Sequence, residues 1–201
     1  MCRFAPRTGS LPDLLSTVIE SPRLRLIHTS ENDADNILRA FNADITRYMF
    51  PKPAESLIDT LEFIAASREA TAAWKNLQLT ISLKTTGEFL GCCGLHGHDS
   101  ARVPELGVWT KRQAHGHGYG REAVFTLVGW AVATLDLTGF VYPVDRRNSA
   151  SRKIPEALAG EVVSTGLMSG LGGNPLEIIT YRIDAETAHS KLQKLRLGVA
   201  Q

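Results

Sequence analysis

The chain has 201 residues, 43% of them apolar and 21% charged, with a formal net charge of +1. That length and balance suit one soluble globular domain, and they offer no field to steer nucleic acid or an anionic membrane surface. Three cysteines (Cys2, Cys92, Cys93) make no disulfide framework, and the pairs His96/His98 and His115/His117 lack further ligands at metal spacing, so no metal is expected.

Residues 1–20 read as an N-terminal extension with no apolar signal region. Their one apolar cluster (Leu14, Leu15, Val18, Ile19) is either a helical turn packed on the domain or a partly ordered segment. No apolar run reaches membrane-spanning length, and the expected location is the cytoplasm. Residues 22–28 alternate Leu24 and Leu26 with arginines, the period of a half-buried strand. A helix is expected over 34–41, with Ile37, Leu38 and Phe41 inward. After a break at 48–53, Ser56 and Asp59 make an acidic capping box for a helix with Leu57, Leu61, Ile64 and Ala65 on one face.

Residues 77–84 alternate without fault and turn at Thr85–Gly87 into a second strand at 89–95, in which Cys92 and Cys93 cannot both face the core. After a polar loop at 96–103, a third strand at 105–109 runs into Gly116, Gly118 and Gly120, and then an amphipathic helix carries Val124, Leu127, Val128, Ala131 and Leu135 inward. A strand at 139–144 contains Pro143, which argues for a free edge or a splayed neighbour there. A helix at 148–158 must be kinked by Pro155 or hold it in its first turns, and strands at 161–168 and 176–183 follow. The order β-α-α-β-β-β-α-β-α-β-β predicts an α/β (α+β) domain over 21–184. Its sheet is mixed, mainly antiparallel and six- to seven-stranded, with helices on both faces, and 185–201 is left as a tail.

Strand, glycine loop and helix in succession aim free backbone N–H groups and a helix dipole at an anion. Three readings compete for GHGYG. The phosphate loop of nucleotide triphosphatases needs a Gly-Lys-Ser/Thr ending, and a dinucleotide fingerprint needs different glycine spacing among repeated βαβ units. A glycine turn without a ligand is the plain alternative. The segment ELGVWTKRQAHGHGYGREAV instead resembles the Gcn5-related N-acetyltransferase (GNAT) superfamily, and more narrowly its RimJ/RimL-like branch. The opening SPRLRLIHTSENDADNI is similar to the family's first strand and helix, and the run from Asn148 through Ser151 and Glu156 to Leu158 to its Asn-x-x-Ser…Glu-x-Leu helix. The family's loop pattern fits Gln113-x-x-Gly116-x-Gly118 or His115-x-x-Gly118-x-Gly120, and the second register suits the expected helix start better.

The resemblance implies an N-acetyltransferase using acetyl-CoA as cosubstrate, with splayed central strands. The acceptor would be an amine, small molecule or protein N-terminus, without nucleic acid, membrane or metal; a homodimer is a possible assembly. The implied cofactor-binding residues are Val108, Trp109, Thr110, His115, Gly116, His117, Gly118, Tyr119, Gly120, Arg121, Asn148 and Ser151. Trp109 is also read as a core residue. Glu105 is the candidate base and Ser151 the second candidate catalytic residue, more a cofactor contact than an acid. The family's tyrosine donor is replaced near Pro155, leaving Ser151, Tyr142 or water to protonate the thiolate. His96 and His98 read as solvated loop histidines, and Arg146 and Arg147 as either solvated or near the 3′-phosphate. A non-catalytic acyl-CoA-binding module of the same fold is the alternative.

Overall fold

The computed structural model describes residues 3–10, 12–97 and 100–198. In chain order the elements are strands β1 (Val18–Glu20) and β2 (Leu24–His28), then helices α1 (Ala34–Ala40), α2 (Ala43–Thr46) and α3 (Leu57–Ala72). Strands β3 (Asn76–Leu83), β4 (Phe89–His96) and β5 (Glu105–Thr110) follow, then helix α4 (Tyr119–Thr134), strand β6 (Gly139–Asp145) and helix α5 (Ser149–Ala157). Strands β7 (Glu161–Ser169) and β8 (Pro175–Asp184) and helix α6 (Ala185–Gly198) complete the chain. Among the described residues one sheet in the order β1-β2-β3-β4-β5-β6-β8-β7 joins all eight strands, and only the β5–β6 pair is parallel.

The mixed, mainly antiparallel sheet matches the expectation and has one strand more than its upper count. The extra strand is β1: Val18 to Glu20 pair with Ile27 to Arg25 instead of making a helical turn. Three residues are too few to show a period, so the open edge of β2 decided their conformation. Phe4, Leu14 and Ile19 are buried in the same core as the sheet.

Helices cover both faces. On one, Ala123, Val124, Leu127, Val128 and Ala131 of α4 are fully buried against Leu24, Leu26, Leu79, Leu106 and Phe140. Each Val or Leu contributes roughly 1.5–3 kcal/mol there, which fixes the start of α4 relative to β5. On the other, Ala34 and Ile37 of α1 and Ile64 of α3 pack on Phe89 and Cys92. Cys92 therefore faces one core and Cys93 the other, on opposite sides of β4 as adjacent strand residues must, and cover on both faces buries the two. Burial raises both thiols, Cys93 to about 12, so neither is a thiolate at neutral pH. The same two-sided cover buries Gln78 and Thr80, the polar positions of the cleanest alternating strand.

The capping box of α3 is present, Ser56 Oγ accepting from Asp59 N–H at 3.2 Å and Asp59 Oδ2 from Ser56 N–H at 2.9 Å. The inward stripe of that helix is Thr60, Ile64 and Thr71, with Leu57 exposed, so the expected face was rotated. Residues 185–198 form α6, whose Ala185, Ala188 and Leu192 are buried and which packs against α4. Pro155 lies in the last turn of α5, not its first, and Ala159 just beyond takes a left-handed φ of 58°.

His28, at the end of β2, has both ring nitrogens shielded from solvent without a hydrogen-bond partner among the described residues. Burial lowers its pKa below the ordinary 6.5. The native state then binds fewer protons than the unfolded chain, so His28 costs stability as pH falls below 6.5 through the depressed folded value. Thermal unfolding between about pH 7 and 5 is expected to show this loss, and His28→Gln to flatten it. An unchanged slope in that variant would place the proton uptake elsewhere.

Candidate active site

The antiparallel β4–β5 ladder runs the whole length of β5, from Gly91↔Thr110 to His96↔Glu105. The parallel β5–β6 ladder has a single register pair, Glu105↔Val141, beside a 3.0 Å bond from Val141 N–H to Pro104 O. Past that point the two strands part, and β6 continues on β8 as far as Asp145↔Ile178. The result is a wedge, closed at Glu105 and open at Thr110, with the start of α4 beyond its mouth. Lys111 N–H bonds Leu90 O at 2.7 Å, which sets the phase of β5. Odd-numbered residues bond β4, and the main chains of Leu106, Val108 and Thr110 turn to the wedge. On β6, Val141 N–H points at β5, so the nitrogen of Pro143 points the same way two residues on, where no ladder remains. Proline there removes no strand bond.

The loop from Lys111 to Gly118 makes a short 3₁₀ turn at Arg112–Ala114 and reaches α4 with Gly118 as N-cap. Gly116 and Gly118 have φ of 81° and 77°, while Gly120 sits inside the helix without a positive φ. The conformational need for glycine thus falls on Gly116 and Gly118 and not on Gly120. The first helical bond of α4 is Glu122 N–H to Gly118 O at 3.0 Å, so the amides of Tyr119, Gly120 and Arg121 precede the ladder. The Gly118 cap offers them no side chain. First-turn amides, two open glycines and the helix dipole together fit an anionic group.

The loop is tied down from three sides. His115 Nε2 donates to Thr110 O at 2.9 Å and His117 Nδ1 to His115 O at 2.8 Å. His115 thereby takes the carbonyl of Thr110 and leaves its N–H to the wedge. Arg23, at the entry to β2, donates to Glu122 Oε2 at 2.6 Å and to His117 O at 3.1 Å, and its guanidinium lies 4.6 Å from the Tyr119 ring centroid. Burial alone would raise the Glu122 pKa, but hydrogen bonds from Ser21 and Arg23 hold it below the ordinary value. Arg23 escaped the sequence reading, where it was one polar position of an alternating strand; its partner is 99 residues away.

Positions 105, 107 and 109 of β5 share the α1/α3 face. Trp109 packs on Phe41 and Phe89 at 4.9 and 5.9 Å between ring centroids. Its side chain is core and its main chain faces β4, so the wedge has no use of it. His96 is not a loop residue: it ends β4, directly across from Glu105. Its ring lies on bare backbone, since a Cβ at Gly107 would stand 3.0 Å from Nε2 and one at Gly94 3.3 Å from Cε1. Burial lowers its pKa, so the ring is neutral at neutral pH. The signal for it was the pair of glycines, legible only once β4 and β5 are in register. His98 lies outside the described residues.

On the β6 side, Tyr142 is 2% exposed and its hydroxyl stands 2.8 Å from Ser151 Oγ. Burial raises the Tyr142 pKa to about 12, with Ser151 acting in the other direction. Asn148 caps α5, its Oδ1 accepting Ser151 N–H at 3.1 Å. Arg147 is bidentate on the fully buried Asp145 and also donates to Pro175 O at 2.6 Å, and Arg146 stands 3.9 Å from Glu177. Both arginines therefore serve the β6–β8 end, and Arg147 holds the Asp145 carboxyl below its ordinary range. Among the described residues no group of three His, Cys, Asp or Glu could hold a metal, and no helix is long and apolar enough to cross a membrane.

A family model described as an acetyltransferase (GNAT) domain matches residues 23–160. An uncharacterized N-acetyltransferase, p20, of Bacillus licheniformis is 25% identical over 139 residues, 68% of this chain and 78% of that protein. Among solved structures, Mycobacterium smegmatis RimJ in complex with CoA-disulfide has a TM-score of 0.76 at 17% identity, covering 90% of this chain and 96% of that one. A putative ribosomal-protein-serine acetyltransferase from Vibrio cholerae has 0.70 at 18% identity, covering 85% and 98%. At these identities the structural likeness is one of fold.

Proposed function

The chain belongs to the GNAT acetyltransferase family, and from that premise we propose that it transfers an acetyl group from acetyl-CoA to a primary amine in a ternary complex. The acceptor is a small-molecule amine or a protein N-terminus. The observation that carries this reading is the wedge between β5 and β6, which opens toward a helix start capped by a left-handed glycine. The donor, when bound, supplies an activated thioester carbonyl. The amides of Gly116, His117, Gly118, Tyr119, Gly120 and Arg121 and the α4 dipole hold its pyrophosphate, and Arg23 adds a cation beside them. Val108 and the N–H of Thr110 pair with the pantetheine arm as an added strand would, and wedge-facing N–H groups polarise the carbonyl. That RimJ was solved in complex with CoA-disulfide supports a CoA-derived donor here.

An amine attacks only after losing its proton. Glu105 and His96, side by side at the closed end of the wedge, take that proton, the neutral imidazole accepting where the carboxylate holds the ammonium. Ser151, on the first turn of α5 and bonded to the protonated Tyr142, contacts the donor and donates a hydrogen bond to the departing thiolate, which takes up the proton that the attacking nitrogen sheds as the amide forms, while Asn148 sets its position as the cap. Calorimetry with acetyl-CoA and the pure protein is expected to show one site per chain; no heat of binding would overturn the reading. Pro155, standing near the place of the family's tyrosine, favours a second reading, a module that binds acyl-CoA without turnover. Thiol release in the presence of any member of an amine panel removes that alternative.

A further inference from the structure

On the α1/α3 face of the sheet, residues 41–53 cross the open end of the wedge. Phe41 packs on Trp109 of β5, and Tyr48 lies against Arg147, two residues past the end of β6. Beyond β6 the segment is tied to the turn between β7 and β8, Leu171 N–H donating to Phe50 O at 2.7 Å and Asn174 Nδ2 to Arg47 O at 3.1 Å. Trp109 and Asp145 each stand four residues past the Glu105↔Val141 pair, so the segment joins the two walls of the wedge at one level. Phe140, Tyr142 and Val144 belong to the core under α4, so positions 141, 143 and 145 turn to the α1/α3 face, as 105, 107 and 109 do. An acceptor that approaches Glu105 from the side opposite α4 therefore passes this segment.

The charges of this rim do not balance. The Tyr48 ring centroid is 5.5 Å from Cζ of Arg47 and 5.5 Å from Cζ of Arg147. Arg147 is answered by Asp145 through two hydrogen bonds of 2.8 Å, Lys52 by Glu55 at 2.6 Å, and Arg146 stands 3.9 Å from Glu177. Arg47 is exposed, and among the described residues its guanidinium meets no carboxylate. Asp44, the one acid of the segment, lies in the first turn of α2 and forms no ion pair with it. The Tyr48 hydroxyl likewise has no hydrogen-bond partner among the described residues. An open guanidinium beside an open phenol is a donor set for a carboxylate, the planar fork reaching both oxygens and the hydroxyl one of them.

We propose that the acceptor is an amine that also carries a carboxylate, held by Arg47 and Tyr48 while its nitrogen lies toward Glu105 and His96. The inference rests on the acetyl-transfer reading and names the acceptor class that suits it. Each end of such an acceptor meets the opposite charge, the ammonium at Glu105 on the closed end of the wedge and the carboxylate at Arg47 over its open end. A diamine would instead bring its second ammonium to Arg47 and be repelled. The carboxylate is either an amino acid's own or an acidic side chain near the N-terminus of a peptide, and for this pair of donors the two are one chemistry.

Calorimetry of acceptors titrated into the full chain saturated with CoA reads acceptor affinity without turnover, and acetyl-CoA binding is measured alone beside it. The probes are matched pairs: amino acids against their amides, and C-terminally amidated peptides with Glu near the N-terminus against the same peptides with Gln. In at least one pair the carboxylate form should bind at least about tenfold tighter, and the arm that shows the preference names its source. Arg47→Gln should bring that ratio to about one, Arg47→Lys should keep part of it, and Tyr48→Phe, which keeps the ring and removes the hydroxyl, should reduce it. A purely structural Arg47 would weaken both members of a pair alike and leave the ratio unmoved. A ratio near one in every pair overturns the proposal, as does a preference that survives Arg47→Gln, a diamine that binds better than every carboxylate, or no heat from any acceptor. If acetyl-CoA itself gives no heat, the transfer reading falls and takes this one with it; if it binds and the ratios fail, this one falls alone.

Discussion

A Gly118→Glu variant is expected to lose acetyl-CoA affinity by at least about 100-fold, roughly 2.7 kcal/mol, while remaining folded. Gly118 is the N-cap of α4 with φ of 77°, and a Cβ built on it would stand 3.8 Å from Arg23 Nη2. A side chain there meets no backbone, so the direct cost is that of an L-residue in the left-handed region, on the order of 1–2 kcal/mol. A carboxylate at a helix start recovers about 0.3–1 kcal/mol of that in the free protein. It does so by taking the place, the dipole and the Arg23 contact that the pyrophosphate is proposed to use. Gly118→Ala separates strain from charge: it carries the same backbone cost without the anion and should lose less than about tenfold in affinity. Equal losses in both variants, read by calorimetry beside melting curves, would mean that loop geometry alone matters. Unchanged affinity in Gly118→Glu would move the pyrophosphate elsewhere.

Glu105→Gln is expected to lower turnover about 100-fold near neutral pH without changing acetyl-CoA affinity. The loss should shrink as pH rises, because a larger share of the acceptor amine is then already neutral and needs no base. His96→Asn should act in the same direction and leave cofactor affinity alone, since His96 pairs with Glu105 at the end of β5 remote from Thr110 and the glycine loop. If the two residues work as a unit, the double variant will be little worse than the more damaging single one. Full activity in Glu105→Gln at neutral pH would retire the carboxylate, and a loss that is constant across pH would make it a binding group instead.

Much of this was legible in the chain because it is local. The alternation of Leu77, Leu79, Ile81 and Leu83, the capping box of Ser56 and Asp59, and the apolar stripe of α4 each lie within a few residues, where period and cap chemistry act. Pro143 announced a strand without a neighbour, and β6 is such a strand on the side where β5 departs. The glycine loop before α4 was legible by the same local logic. Three glycines at alternate positions look alike in the chain, and only their φ values part Gly116 and Gly118 from Gly120.

What the sequence by itself determined is the class of fold, the order of its central elements and the strand–glycine loop–helix unit, because these rest on short-range periodicity and backbone freedom. The tertiary structure decided everything that depends on partners far along the chain. It buried both Cys92 and Cys93 by covering two faces of one sheet, and turned residues 18–20 into a strand by offering them the edge of β2. It brought Arg23 to a loop 94 residues away, and set His96 across from Glu105 by the pairing of β4 with β5. Sheet pairing carries no period within a single strand, so which residues share a face or an edge is settled only when the strands meet.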